Sequence, residues 1–247
     1  MKFPYLYETH LHTKEGSACS RSTAKELVQA YKAAGYTGIM VTDHFYRGNT
    51  AIDRNCSWED WVEAYCKGYE NAREEGEKMG LQVFFGWEES YQGTDFLIYG
   101  LDKEWLKKHP ELKEISIEEQ YELVHKEGGM VIQAHPYREA GYIPEIRLFP
   151  QAIDGVEVKN ASHYGRAPEE DGRSSYDAKA LRFADKYQLP YTGGSDIHNS
   201  EKLLYGGMEF SRKLTDVQDY IKAVLAREGR PVDYFMIRKE QEKNNER

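Results

Sequence analysis

This sequence of 247 residues predicts an α/β fold with a largely parallel sheet and helices outside it. Two observations carry that prediction. Seven short runs rich in β-branched and aromatic residues recur along the chain, and longer segments with helical periodicity separate most of them. The length suits a single domain over 1–247, since single α/β barrels commonly run to roughly 200–250 residues. A closed or distorted barrel accounts for this order, with an open doubly wound sheet as the alternative.

The elements follow in order. The first run is Phe3 to His12. Ser22 or Thr23 then caps a helix, TAKELVQAYKAAG, which ends at Gly35. The second run, GIMVTDH, spans Gly38 to His44. One long helix is expected next, SWEDWVEAYCKGYENAREEGEKMG, with Ser57 as its cap, Asp60 completing a short capping box, and a closing glycine. The third run covers Leu81 to Ser90, and a Gln92-Gly93 turn leads directly into the fourth, TDFLIYGL. No helix fits between them, so these two runs predict a hairpin.

Helix SIEEQYELVHKEGG precedes the fifth run, MVIQAHPY. A stretch holding Gly141, Pro144 and Pro150 leads to the sixth, GVEVKN. Residues 161–175 are polar and contain glycine and proline, which predicts a long loop. Helix DAKALRFADKYQ leads to the seventh run, LPYTGGSDIH, and a last helix, TDVQDYIKAVLAREG, follows. The charged tail 238–247 is expected to fray.

Composition narrows the function classes. An apolar share of 40% and an aromatic share of 13% fit a packed globule rather than a disordered chain. The net charge of −9 argues against a nucleic-acid partner, because phosphate contacts reward basic surfaces. A small phosphorylated substrate stays compatible, since bound cations reverse the local charge. Cys19, Cys56 and Cys66 form no paired framework, and no run of 18 apolar residues occurs. With an N-terminus, MKFPYLYETH, that lacks an apolar core, these features predict a cytoplasmic protein with no membrane association.

The informative feature is where the reactive side chains fall. His10 and His12 end the first run, Asp43 and His44 the second, Glu88 and Glu89 the third, His135 the fifth, and Asp196 and His198 the seventh. In a parallel barrel the C-terminal strand ends converge on one face, and that face carries the active site. Singly, each motif reads as a turn, a cap or two polar side chains on one strand face. Together they would crowd imidazoles and carboxylates into one pocket, where like-charged acids repel or take up protons unless a cation is present. Period-2 geometry lets His10 and His12, and likewise Asp196 and His198, pinch one metal centre. Imidazole and carboxylate ligands without a thiolate cluster suit zinc, manganese or iron. The other histidines read differently: His125 as a structural residue near a helix C-terminus, His109 as solvated, and His163 as a loop residue within possible reach of a ligand.

The motifs THLHT at 9–13, VTDHF at 41–45, GWEES at 86–90, QAHPY at 133–137 and GSDIH at 194–198 resemble, in order, those of the polymerase and histidinol phosphatase (PHP) superfamily. The resemblance implies a distorted (β/α)7 barrel with a metal site at the C-terminal strand ends. It implies two or three divalent metal ions. His10, His12, Glu88 and Asp196 would hold one, Glu88 would bridge to a second with His135, and His44 with His198 would hold a third. Two positions depart from the family pattern. Cys19 and Ser20 stand where trinuclear members carry a further His or Asp, and Asp95 replaces a histidine on the fourth run. Asp95 could ligate in its place, and Cys19 could act as a soft ligand.

The expected activity is hydrolysis of a small phosphomonoester by a hydroxide bridging two metals. Asp196 or a nearby histidine, here His198, would shuttle the proton. Arg21, Arg47, Arg138, Lys159 and Arg166 follow or flank strand ends; Arg138 and Arg21 stand out as phosphate holders, with Arg166 in support and Asn160 orienting ligand or water. The competing readings are a phosphodiesterase or exonuclease acting on nucleic acid, and a metal-binding module without catalysis.

Overall fold

The computed structural model describes residues 3–168, 174–203 and 205–233, so the tail at 238–247 lies outside the described residues. The first strand, β1 (Tyr5–Leu11), is buried on both faces from Tyr7 onward, as a central strand must be. Helix α1 (Ala24–Ala33) follows. Of its two expected caps, Thr23 serves, in a reciprocal capping box with Glu26. Its buried residues Leu27, Val28 and Tyr31 recur at helical spacing and face the sheet. β2 (Gly38–Val41) pairs parallel to β1.

The long helix expected over 57–80 is two helices, α2 (Trp58–Tyr65) and α3 (Lys67–Met79). Cys66 ends one and starts the other, with ψ flattened to −5°. Close packing accompanies the interruption: a Cβ on Gly68 would lie 2.3 Å from Thr13 Oγ1. The N-cap at Ser57 is as expected, with its side chain accepting from Asp60 N. β3 (Gln82–Tyr91) pairs parallel to β2 and turns at Gln92-Gly93 into β4 (Thr94–Tyr99). Both turn residues have positive φ, 53° and 83°, the signature of a tight hairpin turn that follows strand twist.

Helices α4 (Lys103–Lys108) and α5 (Ile117–Lys126) lead to β5 (Met130–Gln133), and β6 (Gly155–Asn160) follows. The expected loop after β6 contains a short 3₁₀ turn, Ala161–His163, before α6 (Ser175–Tyr187). β7 (Tyr191–Gly194) comes next, then β8 (Gly207–Phe210), α7 (Val217–Leu225) and β9 (Arg230–Val232). Patterning did not indicate α4, β8 or β9.

The strands form one sheet in the order β7-β6-β5-β4-β3-β2-β1-β8-β9. The seven predicted runs supply β1 to β7. The sheet is mixed rather than largely parallel. β4 runs antiparallel to both β3 and β5, and β8 and β9 extend the β1 edge with antiparallel pairing. The sheet curls until the residues after β7 meet β1. Asp196 N donates to His10 O at 2.9 Å and His12 N to Ile197 O at 3.0 Å. The result is a nearly closed, distorted barrel, and the open-sheet alternative does not hold.

A large core cluster holds Phe45, Trp61, Trp87 and Phe96, and a second gathers Tyr7, Met40, Tyr99 and Tyr220. Among the described residues, no helix is long and apolar enough to cross a membrane.

Candidate metal centre

The C-terminal ends of β1, β3, β5 and β7, with the residues just after β2, converge at one mouth of the barrel. β4 also contributes, by a different route. Because it runs the opposite way, its second residue, Asp95, lies at this mouth, paired with Ser90 across the hairpin.

His10 and His12 point to the same side of β1, with their Nε2 atoms 3.1 Å apart. What holds each ring fixes its tautomer. His10 Nδ1 lies 3.0 Å from Glu157 Oε1, a pure acceptor when ionised, so His10 donates there and its Nε2 lone pair faces the centre. His12 Nδ1 lies 3.1 Å from Ser17 Oγ, whose proton is committed to Asp43 Oδ1 at 2.7 Å. His12 therefore donates from Nδ1 as well. Two bare nitrogens 3.1 Å apart repel unless a cation or a proton lies between them.

Glu88 is the middle of the group. Its Oε1 is 3.1 Å from His10 Nε2 and 3.4 Å from His135 Nε2. Its Oε2 is 2.6 Å from His44 Nδ1 and 3.5 Å from His12 Nε2. Despite these approaches neither oxygen is aligned for a hydrogen bond, nor is His44 Nδ1, although all three atoms are buried. Asp196 Oδ1 is 3.1 Å from His12 Nε2 and 3.6 Å from His198 Nδ1. His198 Nδ1 also donates to Asp196 O at 2.8 Å, which directs its other nitrogen elsewhere.

Two of these residues sit on backbone that side chains rarely adopt: His135 has φ 27° and Asp196 has φ 55°. Such conformations persist where the surroundings impose them, and they cluster at functional sites. Glu157 supplies part of that constraint by accepting from His135 N at 3.0 Å.

The electrostatics match a site short of positive charge. Burial depresses His10, but the carboxylates of Glu157, Asp196 and Glu88 outweigh it and raise its pKa well above the usual value. His44 is likewise raised against burial by Glu88. Burial, with His44 and His198 nearby, drives His12 well below the usual value. Glu88 and Asp196 are held far below the usual carboxylate range despite burial, the first by His44 and His10, the second by Arg138 and His10. Asp43 is raised by burial to about 6 and Glu89 to about 7.

Among the described residues, four triads have potential ligating atoms mutually within 4.8 Å: His12, His44 and His198; His10, His12 and Glu88; His10, His135 and Asp196; Glu88, Asp95 and His135. Buried imidazole and carboxylate donors with unsatisfied atoms are what divalent cations require, so the donor set fits the expected ions. Every one of the eight residues expected to ligate metal, Asp95 included, is in one of these groups. Asp95 also accepts from Ser90 Oγ at 2.6 Å. Cys19 faces His44 and His198 along the same cavity. Burial would raise its thiol, but hydrogen bonds to these two imidazoles bring it down to about 6. Ser20 instead donates to His12 O and braces the loop.

The centre opens into a cavity of about 540 Å³ whose walls include Arg47, Arg138 and Tyr142. Of the expected phosphate holders, Arg138 is placed there, with Nη1 2.6 Å from Asp196 Oδ2. The others are placed elsewhere. Arg21 and Arg166 are exposed, and neither lines this cavity. Asn160 turns inward, donating to Glu157 Oε2 at 2.9 Å and accepting from Ser162. Lys159 pairs with Asp233 at 2.6 Å. Arg47 takes the place foreseen for Arg21; it pairs with Glu89 at 3.0 Å and its guanidinium lies over the Tyr91 ring.

His125 and His109 pair with Asp154 and Glu111, away from the centre. His163 is buried and bonded to Arg138. Sequence reasoning missed Glu157, Ser17 and the placement of Arg47. The signal for Glu157 was a carboxylate inside an apolar strand, GVEVKN, where a charge needs a partner.

The family model described as PHP-associated matches residues 176–228, from α6 to just beyond α7. No curated protein is detectably similar in sequence. Similar solved structures include a two-domain protein from Bacteroides vulgatus that contains a predicted PHP-like metal-dependent phosphoesterase. It is 17% identical, with a TM-score of 0.67 over 94% of this chain and 68% of that one. PsfC from Pseudomonas syringae is 16% identical, with a TM-score of 0.62 over 98% and 96% of the two chains. A Bifidobacterium adolescentis protein assigned as a metal-dependent phosphoesterase is 18% identical, with a TM-score of 0.55 over 93% and 97%. These likenesses establish the fold, and the segment from α6 to α7 is similar to the PHP-associated family.

Proposed function

We propose that this chain is a metal-dependent phosphoesterase that hydrolyses a small phosphomonoester, with two or three divalent ions of zinc, manganese or iron as cofactor. One observation carries the reading. The buried Glu88 carboxylate, with both oxygens unsatisfied, lies among His10, His12, His44 and His135 at the floor of a cavity walled by Arg138. His10, His12, Glu88 and Asp196 would hold one ion, Glu88, Asp95 and His135 a second, and His12, His44 and His198 a third. Divalent ions in such a site supply a low-pKa water and neutralise charge on the phosphoryl oxygens.

The chain's own groups do the rest. Arg138 offers a planar fork of N–H donors to phosphoryl oxygens. Asp196 or His198 moves a proton at the cavity floor, His198 being the more open of the two at 29% side-chain exposure. The net charge of −9 speaks against a nucleic-acid substrate. Three free cysteines, one buried and two exposed, fit a reducing, cytoplasmic setting.

The test is direct. Protein stripped by chelator and reloaded with Mn²⁺, Zn²⁺ or Fe²⁺ should hydrolyse p-nitrophenyl phosphate and leave single-stranded DNA intact. Bound metal with neither turnover would favour a non-catalytic module, and DNA cleavage an exonuclease.

A further inference from the structure

The phosphate-side arginine is not free to wander. Arg138 Nε donates to His163 Nε2 at 3.1 Å, its Nη2 donates to Ser162 Oγ at 2.8 Å, and its Nη1 pairs with Asp196 Oδ2 at 2.6 Å. Behind it, His163 Nδ1 lies 2.6 Å from Asp177 Oδ1 on α6, and Ser162 Oγ donates to Asn160 Oδ1 at 2.6 Å. A guanidinium nitrogen can only donate. His163 must therefore accept at Nε2, carry its proton on Nδ1, and give that hydrogen bond to Asp177. The imidazole is 1% exposed and lies outside the metal triads.

We propose that His163 and Asp177 are positioning residues that pre-orient the Arg138 fork toward an oxyanion of a phosphorylated ligand bound at the metal centre. The inference rests on the phosphoesterase reading for its ligand, but on this hydrogen-bond chain for its residues. A guanidinium has five N–H donors. Three are committed to His163, Ser162 and Asp196, which leaves one on each terminal nitrogen for an incoming oxygen. A free arginine gives up much rotamer freedom on binding; one already tied at Nε and Nη2 has given it up in advance. Ser162 and His163 sit in the 3₁₀ turn that Asn160 caps, and Asp177 is in the first turn of α6. Three successive elements thus aim one side chain. This also explains a buried histidine–carboxylate pair away from the ligating atoms.

The experiment uses the full, metal-loaded chain and inorganic phosphate as the probe, with binding read by calorimetry and metal content by elemental analysis. His163→Ala should keep its metal and weaken phosphate binding about tenfold, the scale of one lost hydrogen bond to a charged group. His163→Gln, whose amide can accept from Arg138 and donate to Asp177, should restore most of that loss. Asp177→Asn, at a half-buried position that carries little folding risk, should weaken phosphate binding in the same direction with metal unchanged. In an Arg138→Ala background, His163→Ala should add nothing further. With p-nitrophenyl phosphate, KM should rise more than kcat falls.

Wild-type phosphate affinity in both His163→Ala and Asp177→Asn would overturn the proposal, as would an equal loss with and without Arg138. Phosphate bound and weakened as described but no ester turned over would sink the phosphoesterase reading alone. No phosphate bound by the wild type would sink both.

Discussion

Glu157 bears three donors on one carboxylate: His10 Nδ1, the His135 backbone N–H and Asn160 Nδ2. It thereby sets a histidine tautomer on β1 and the strained backbone at the end of β5. An amide has one acceptor oxygen, so Glu157→Gln must turn its NH₂ toward at least one of these N–H groups. Metal affinity should fall by about 10–100-fold, the usual cost of losing an outer partner of a ligating histidine. Calorimetric titration checks this, and unchanged affinity would mean His10 is held by something else.

Most of the candidate ligands stood out in the sequence because they lie in short motifs at or just beyond strand ends, and for His10 and His12 period-2 spacing decides the side. Their supports did not. Asn160 illustrates why. Strict alternation puts it on the face opposite Glu157, yet β6 shifts register between Glu157 and Lys159, and the bulge brings both side chains together. A register shift has no composition signature. Gly194 is a related case: a Cβ there would lie 2.5 Å from His10 Cβ, a closeness visible only once β7 and β1 meet.

At the scale of elements, hairpin β3–β4 followed from two residues. Gln92 takes φ 53° where a tight hairpin turn prefers Asn or Gly. Gln92→Asn should therefore stabilise the protein by about 0.5–1 kcal/mol, read from the denaturation midpoint, with no change in metal binding. A loss of stability would show that the Gln92 side chain, and not only its carbonyl bond to Arg147, contributes there. The hairpin has a second effect. By reversing β4 it brings Asp95 to the metal end, beside Glu88 and His135. Elements that escaped the sequence reading are short. β8 and β9 have four and three residues, too few to establish a period, and their pairing is decided by the β1 edge.

For the whole molecule, alternation of strands and helices favoured a barrel over an open sheet without excluding the latter, while the antiparallel strands within it depended on turn lengths and edge pairing. Barrel closure places five imidazoles, Glu88, Asp95 and Asp196 in one buried space, so cation binding and folding are linked. Chelation should lower Tm and a saturating divalent ion should raise it. An ion at 100 times its Kd adds about 2.7 kcal/mol, or roughly 5–10 °C for a domain of this size. A Tm indifferent to both would separate the cluster from cation binding.

The central claim is that this cluster is a metal centre. Elemental analysis of the purified chain, after stripping and reloading, tests it most directly. The proposed function predicts two or three divalent ions per chain, falling to one or none when His10 and Glu88 are both replaced by Gln in a protein that still folds. Less than one ion bound to the native chain, or a full complement in that variant, would contradict it.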